Sequence, residues 1–218
     1  MRVYAEAAFD ILYLFVVLIM GIFMVLNAPK GSVKRLFGVM AIVLGAGDAF
    51  HLVPRVIELL NTGEVLNTPA IGLGKLITSI SMTVFYVMLY EIWARYFRKG
   101  SKGLRLSIYL LAALRIALCA LPQNQWFVAQ PPLICGIVRN IPFLAMGAII
   151  IALFFTAARG DKYLRFMWLA VALSFAFYIP VVLWAHINPL IGMLMIPKTI
   201  CYVWVVTMGF SKGFASAS

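Results

Sequence analysis

Charged side chains are scarce in this chain, which has 7 Asp and Glu and 18 Lys and Arg among 218 residues. They make up 11% of the sequence, against 64% for hydrophobic residues, and the mean hydropathy is +1.02. A soluble domain of this length needs far more polar surface, so the composition excludes that class and predicts an integral membrane protein. The net charge of +11 then indicates membrane topology rather than nucleic-acid binding, because Lys and Arg collect in cytoplasmic loops.

Cysteine and histidine are also few, and both shortages exclude classes of site. The cysteines are odd in number and lie in apolar runs, which argues against a disulfide framework: Cys119, Cys135 and Cys201. The only histidines are His51 and His186, and neither HxxxH nor HExxH occurs. A catalytic zinc ion takes three protein ligands, so Asp48 or Glu58 would have to supply the third, beside several cations. We therefore expect no metal ion and no other cofactor.

Long apolar runs dominate what is present. Seven of them, bounded by polar residues or by Gly and Pro, lie at about 4–28, 35–60, 70–94, 104–121, 133–157, 163–185 and 189–210. Each approaches the roughly 20 residues that a helix needs to cross a bilayer core of about 30 Å. Because lipid offers no partner to an unpaired backbone amide, each span is expected to be a helix. The sequence predicts an all-α protein with one domain, 1–218, built as a seven-helix transmembrane bundle.

The segments between the spans alternate in charge. "APKGSVKR", "ARYFRKGSKGLR", "ARGDKYLR" and the tail "SKGFASAS" contain 12 of the 18 Lys and Arg, whereas "NTGEVLNTP", "PQNQWFVAQPP" and "AHINPL" contain none. The positive-inside rule then places the N-terminus outside and the C-terminus in the cytoplasm. The first span lacks a clear cleavage site and is expected to be retained. The short loops suggest a bacterial plasma-membrane protein.

Ionisable residues nevertheless occur inside the spans, most densely in "LGAGDAFHLVPRVIELL" (44–60). Five cations lie within spans two, three, four, five and seven: Arg55, Lys75, Arg115, Arg139 and Lys198. Four carboxylates occupy similar depths in the outer half: Glu6, Asp10, Asp48 and Glu58. Exposing such a group to lipid costs about 2.5–3.5 kcal/mol or more. These residues predict a polar interior cavity that opens toward the outer side.

The helical periodicity suggests roles within that cavity. At 100° per residue, Asp48, His51 and Arg55 share one face of span two, where Gly45 and Gly47 would allow a neighbouring helix to approach closely. We interpret Asp48 as a general acid or base and His51 as a proton relay. The residues expected to bind substrate are Arg55, Lys75, Arg115, Arg139, Tyr178 and Lys198.

The stretch "LGAGDAFHLVPR" (44–55) resembles the Gly-Asp helix of the lysoplasmalogenase-like family, small polytopic proteins that hydrolyse the vinyl ether bond of lysoplasmalogens. In that family the motif is sometimes followed by Leu-Pro-Arg, where this chain has Leu-Val-Pro-Arg. Removing the first of that family's eight helices would give the topology predicted above. The resemblance implies an acid or base role for Asp48. The family's second acidic residue, on a late helix, is absent here, so Tyr178 or Lys198 would have to replace it.

Several functions fit these residues. The preferred hypothesis is an intramembrane enzyme, such as a hydrolase, that acts on a lipid-like or amphiphilic anionic substrate. The alternatives are a seven-helix sensor or receptor for a small anionic ligand, a transporter, and a set of ion pairs that only specify packing. A lysine in the seventh span is also a feature of retinal proteins. However, Schiff-base chemistry needs a carboxylate counterion, which the third span lacks at mid-depth and only Asp48 could replace.

Overall fold

The computed structural model describes residues 2–62, 69–128 and 131–211. Within these ranges the chain is helical and contains no β-strand. The α-helices are α1 (Arg2–Asn27), α2 (Val33–Thr62), α3 (Pro69–Tyr96), α4 (Lys102–Ala120), α5 (Leu133–Ala157), α6 (Met167–Trp184) and α7 (Met195–Phe210). Short 3-10 segments, Pro122–Asn124 and Pro189–Leu194, precede α5 and α7. Residues 63–68, which form most of the predicted loop "NTGEVLNTP", and the tail beyond residue 211 lie outside the described residues.

The seven predicted spans correspond to seven helices that are each long and apolar enough to cross a membrane. The chain is thus an all-helical integral membrane protein. The sixth helix begins at residue 167, later than the predicted 163, because Asp161 Oδ1 accepts hydrogen bonds from the amides of Tyr163 (2.8 Å) and Leu164 (2.6 Å) and holds a turn there. The predicted seventh span, 189–210, agrees with the apolar helical segment Leu190–Phe210. The first part of that segment is 3-10 helix, in which the amide of Leu190 donates to the side chain of Asn188 (3.0 Å), and the α-helix itself begins at 195.

The helices pack in sequence order, and contacts between α1 and α7 close the ring. Helix α3 also contacts α5 and contributes fully buried aromatic rings to the core. Tyr86 packs against Phe143 of α5 and Phe175 of α6, with ring centroids 4.8 and 5.4 Å apart. Phe85 packs against Tyr202 of α7 at 5.6 Å. This aromatic cluster fixes α3 against the later helices.

Small residues bring α2 and α3 close together beside Asp48. A Cβ built on Gly47 would lie 1.9 Å from Ser81 Oγ, so only glycine fits at this crossing. Gly45 faces α1 instead, where its Cβ would lie 2.9 Å from Leu18. The predicted close approach at Gly45 and Gly47 is therefore confirmed, with a different neighbouring helix at each position.

Pro54 adds a second close contact between the same two helices. A proline within a helix leaves the carbonyl four residues earlier without its usual hydrogen bond, which here is the carbonyl of Phe50. That oxygen would lie 2.2 Å from a Cβ built on Gly74 of α3. The freed carbonyl thus lies against the backbone of α3, one residue before Lys75.

Candidate functional site

A cavity of about 300 Å³ lies between α1, α2, α3, α7 and the 3-10 segment before α7. It is at the end of the bundle where α1 begins and α2 ends. Five of the eight predicted site residues line it: Asp48, His51, Arg55, Lys75 and Lys198. Apolar side chains form much of the remaining wall: Phe9, Leu52, Met193, Met195 and Ile196. The lining is therefore mixed, with charged groups and an apolar surface facing the same space.

Asp48 is fixed by a side chain from another helix. Tyr13 of α1, only 3% exposed, donates its hydroxyl to Asp48 Oδ2 at 2.6 Å. No donor among the described residues hydrogen-bonds to Asp48 Oδ1. His51 lies one turn further along the same helix and lines the same cavity. Its Nδ1 is buried and has no hydrogen-bond partner in the described part of the chain. One carboxylate oxygen is thus anchored while the carboxylate borders the cavity.

Arg55 is engaged in an ion-pair network with α1. Its Nη2 lies 3.0 Å from Glu6 Oε2, and its Nη1 donates to Asp10 Oδ2. The two carboxylates lie one turn apart, as the sequence indicated, and both are largely buried. Two negative charges therefore surround the guanidinium, which joins the first turns of α1 to the last turns of α2. This pairing leaves Arg55 less suited to an anionic ligand than the sequence alone suggested.

Lys198 and Lys75 are the other cations that line the cavity. Lys198 is only 7% exposed, and its Nζ lies 4.8 Å from the ring centroid of Tyr178 and 5.2 Å from that of Tyr202. Within the described ranges no carboxylate lies within 4.0 Å of this nitrogen. Asp48 is close enough for the two charges to interact. Tyr178 does not line the cavity, but its ring contacts Lys198, and its hydroxyl donates to Asn140 Oδ1 at 2.9 Å.

Arg115 does not line the cavity either. It is 3% exposed on α4, and its guanidinium carbon lies 3.3 Å from the ring centroid of Phe143. Its Nε and Nη1 make no hydrogen bond within the described structure. The cation is therefore held mainly by an aromatic face, close enough to Lys198 for their charges to interact.

Arg139 also lies away from the cavity, in a contact that closes the loop between α4 and α5. Its Nη1 donates to Asn124 Oδ1 at 2.8 Å, and its guanidinium carbon lies 4.1 Å from the Trp126 ring centroid. Asn124 Nδ2 in turn lies within hydrogen-bonding distance of the carbonyls of Leu118 and Leu121, at 2.7 and 2.9 Å. Arg139 thus orients Asn124, whose side-chain amide donates to backbone carbonyls at the C-terminal end of α4.

The other groups considered for metal binding do not come together. His186 is exposed and does not line the cavity that contains His51. Across residues 2–62, 69–128 and 131–211, no three His, Cys, Asp or Glu side chains form a group that could hold a metal ion. The cysteines are free thiols, buried at Cys119 and Cys201 and partly buried at Cys135.

Tyr13 was not predicted as a site residue, although its spacing from two acidic residues indicates that it shares their helical face. Glu6, Asp10 and Tyr13 follow the i, i+4, i+7 spacing that places residues on one helical face. The two acidic residues on that face are the partners of Arg55, and the tyrosine is the partner of Asp48. One face of α1 therefore faces the polar face of α2.

The chain matches no protein-family model, no curated protein and no solved structure. The resemblance to the lysoplasmalogenase-like family therefore stays a prediction that depends on residues 44–55. The function has to be argued from the geometry of the cavity.

Proposed function

We propose that the protein is an intramembrane hydrolase for an amphiphilic substrate, with Asp48 as its general acid or base. The proposal is based on the arrangement of side chains in the cavity wall. Asp48, His51 and Lys198, which belong to two helices far apart in sequence, face one space together with several apolar side chains. Ionisable residues within membrane helices are functional candidates by default, because their burial is costly.

The size and lining of the cavity support an amphiphile as the substrate. About 300 Å³ is near the lower end of the range for small-molecule sites, roughly 300–1,000 Å³. Such a space suits a headgroup and the adjoining part of one chain better than a whole two-chain lipid. Lys75 and Lys198 supply positive charge for an anionic group, whereas Met195 and Ile196 supply apolar contact. Arg55 contributes less, because Glu6 and Asp10 already pair with it.

The proposed catalytic step is proton transfer at the Asp48 carboxylate. The hydrogen bond from Tyr13 fixes Oδ2, which leaves Oδ1 to take a proton from an attacking water molecule or to give one to the leaving group. His51, one turn away, would relay the proton.

The orientation in the membrane is part of this proposal. The basic segments between α1 and α2, α3 and α4, and α5 and α6 all lie at the end of the bundle opposite the cavity. The positive-inside rule then places the N-terminus and the cavity mouth on the outer side, with the C-terminus in the cytoplasm. A substrate would therefore enter from the outer leaflet or from the external solution.

Lipid analysis of cells tests the proposal. Cells that express the wild type, Asp48→Asn or Glu58→Gln are compared with cells that carry an empty vector. Glu58 is a matched control, because it is a carboxylate on the same helix that does not line the cavity. We expect the wild type and Glu58→Gln to deplete one class of amphiphile and Asp48→Asn to leave it unchanged. A depletion by Asp48→Asn equal to that by the wild type would contradict the catalytic role.

A receptor or transporter would use the same cavity without chemistry. The purified protein would then show a higher melting temperature with an anionic amphiphile such as decanoate, while no amphiphile is consumed. Retention of that shift in Asp48→Asn, together with unchanged lipids in every cell line, would favour binding over hydrolysis.

A further inference from the structure

Lys198 has the environment of a reactive amine rather than of an ion-pair partner. It is 7% exposed, it lines the cavity, and no carboxylate of the described residues lies within 4.0 Å of its nitrogen. The buried cation Arg115 is close enough to interact with it. A lysine that is desolvated in an apolar pocket, or that lies beside another cation, is the type that forms Schiff bases with carbonyl compounds.

We propose that Lys198 forms a reversible imine with an aldehyde ligand that has an apolar body. The inference uses the cavity described above but does not depend on the hydrolase proposal, since imine formation requires no hydrolysis of the ligand. The apolar wall, which includes Met195 and Ile196 on the same helix, would contact the ligand body, and the aldehyde carbon would lie at Lys198 Nζ.

The chemistry balances without an oxidant or a reductant. The unprotonated Nζ attacks the aldehyde carbon, and a C–N bond forms while the carbonyl π electrons move to oxygen. Protonation of that oxygen and loss of water then give the imine, with one water molecule released for each aldehyde bound. Asp48 lies in the same cavity and can give and accept the protons of these steps.

The surroundings of Lys198 also suit the protonated imine. The positive charge stays at the same nitrogen, so the rings of Tyr178 and Tyr202 can still stabilise it. Asp48 borders the same cavity as Lys198 and would act as its counterion. In the sequence, the lack of a carboxylate at mid-depth in the third span argued against Schiff-base chemistry, and only Asp48 could replace it. The structure places Asp48 and Lys198 in the wall of one cavity.

Reductive trapping tests the imine. The purified full-length protein in nanodiscs is incubated with decanal and sodium cyanoborohydride, which reduces the imine in preference to the free aldehyde. Each lysine is then assayed for the reduced adduct by peptide mass spectrometry. Lys102 is the internal control, because it is exposed at the start of α4. We expect Lys198 to be modified about tenfold faster or more than Lys102, despite its burial. Modification of Lys198 at or below the rate of Lys102 would overturn the proposal, without the need for any variant.

Two variants sharpen the test. Lys198→Arg keeps the positive charge and removes the nucleophilic amine. In this variant no lysine should be modified faster than the exposed lysines are. Lys75→Arg is the control and should leave the modification of Lys198 intact. If Lys75 reacts preferentially in the wild type, the assignment to Lys198 is wrong. Trapping of the imine needs no catalytic turnover. Lys198 can therefore be trapped even if the lipid comparison with Asp48→Asn shows no hydrolysis, and hydrolysis can be found even if no imine is trapped.

A second aldehyde shows whether the cavity prefers a polyene or a saturated chain. Retinal, a polyene aldehyde, is added in place of decanal, and the visible spectrum is recorded before reduction. A red-shifted band that Lys198→Arg abolishes would support the imine and assign the cavity to a polyene. Trapping of decanal alone would support the imine and assign the cavity to saturated chains. Failure of both aldehydes to modify Lys198 would overturn the proposal.

Discussion

Tyr13 determines how Asp48 is presented to the cavity. Its hydroxyl is buried and donates to one carboxylate oxygen of Asp48 at 2.6 Å. Such a bond restricts rotation of the carboxylate, although Tyr13 itself does not line the cavity. We therefore regard Tyr13 as a positioning residue for the proposed catalytic group.

Removing that hydroxyl tests the positioning role. Tyr13→Phe should lower kcat by about tenfold or more while leaving KM nearly unchanged, since a hydrogen bond to a charged group contributes about 1.5–3 kcal/mol. Tyr4→Phe is the control, because Tyr4 is an exposed tyrosine on the same helix. Steady-state kinetics on the substrate identified by lipid analysis provide both constants. An unchanged kcat in a folded Tyr13→Phe protein would show that the hydrogen bond is only structural.

The Arg55 network should matter for stability. Arg55→Gln removes the cation that pairs with the buried carboxylate of Asp10, and we expect a loss of about 3–5 kcal/mol in the free energy of unfolding. Arg105→Gln breaks an exposed pair with Glu91 and should cost less than about 1 kcal/mol. Denaturant unfolding in micelles measures both values.

Neutralising the partners provides a check on the cause. Glu6→Gln and Asp10→Asn, introduced together into Arg55→Gln, should recover part of the lost stability because the two carboxylates that Arg55 contacted are then neutral. If the triple variant is less stable than Arg55→Gln alone, the loss comes from packing rather than from charge.

The sequence alone predicts some of the individual residues that line the cavity. Asp48, His51 and Arg55 share a helical face, and depth along the spans placed Lys75 and Lys198 near them; all five line one cavity. The depth of a residue along its span does not reveal how the helix is rotated about its axis, or which aromatic ring lies beside that residue. Arg115 and Arg139 have suitable depths but lie against Phe143 and Trp126 instead.

At the scale of elements, the contact between α2 and α3 places the polar faces of the site. Gly47 permits this contact because a Cβ there would overlap Ser81. Thr78 Oγ1 of α3 donates to the Gly47 carbonyl at 3.0 Å and ties the same crossing. Helix identity and approximate length could be predicted from apolar runs, whereas the starts of the α-helices α6 and α7 could not. A turn held by Asp161 precedes α6, and a 3-10 segment whose first turn is bound by Asn188 precedes α7.

Substitution at this crossing should destabilise the bundle. We expect Gly47→Ala to cost about 1–3 kcal/mol through overpacking, with partial recovery in the double variant Gly47→Ala/Ser81→Gly. Gly103→Ala is the matched control: it lies in α4 with nothing within 4 Å of its built Cβ, and should stabilise the helix by about 0.5–1 kcal/mol. Thermal unfolding of the three variants gives the comparison. Equal effects of Gly47→Ala and Gly103→Ala would contradict the proposed close contact.

At the scale of the whole molecule, the ring of seven helices brings α7 beside α1 and α2. This closure brings Lys198 and Asp48 into the wall of one cavity, although 150 positions separate them in the numbering. The number of helices could be predicted from hydropathy, but the identity of the helices that meet at the cavity could not. Apolar faces turned toward lipid and toward the bundle interior are alike in composition, so they do not reveal which helices are neighbours.

Cysteine accessibility tests the proposed orientation. In a variant without the three native cysteines, Gln123→Cys and Ser101→Cys place single thiols at exposed positions on opposite ends of the bundle. The positive-inside rule predicts that an impermeant maleimide labels Gln123→Cys in intact cells and Ser101→Cys only after permeabilisation. The reverse pattern would place the cavity on the cytoplasmic side.

The most direct test of the central claim is turnover by the purified protein. Wild type and Asp48→Asn, with melting temperatures shown to agree, are reconstituted in nanodiscs with a total lipid extract and followed by mass spectrometry. The wild type should convert one class of amphiphile into two products whose combined mass exceeds that of the substrate by one water molecule, and Asp48→Asn should leave it intact. Identical lipid compositions in both samples would contradict the claim that Asp48 catalyses hydrolysis in this cavity.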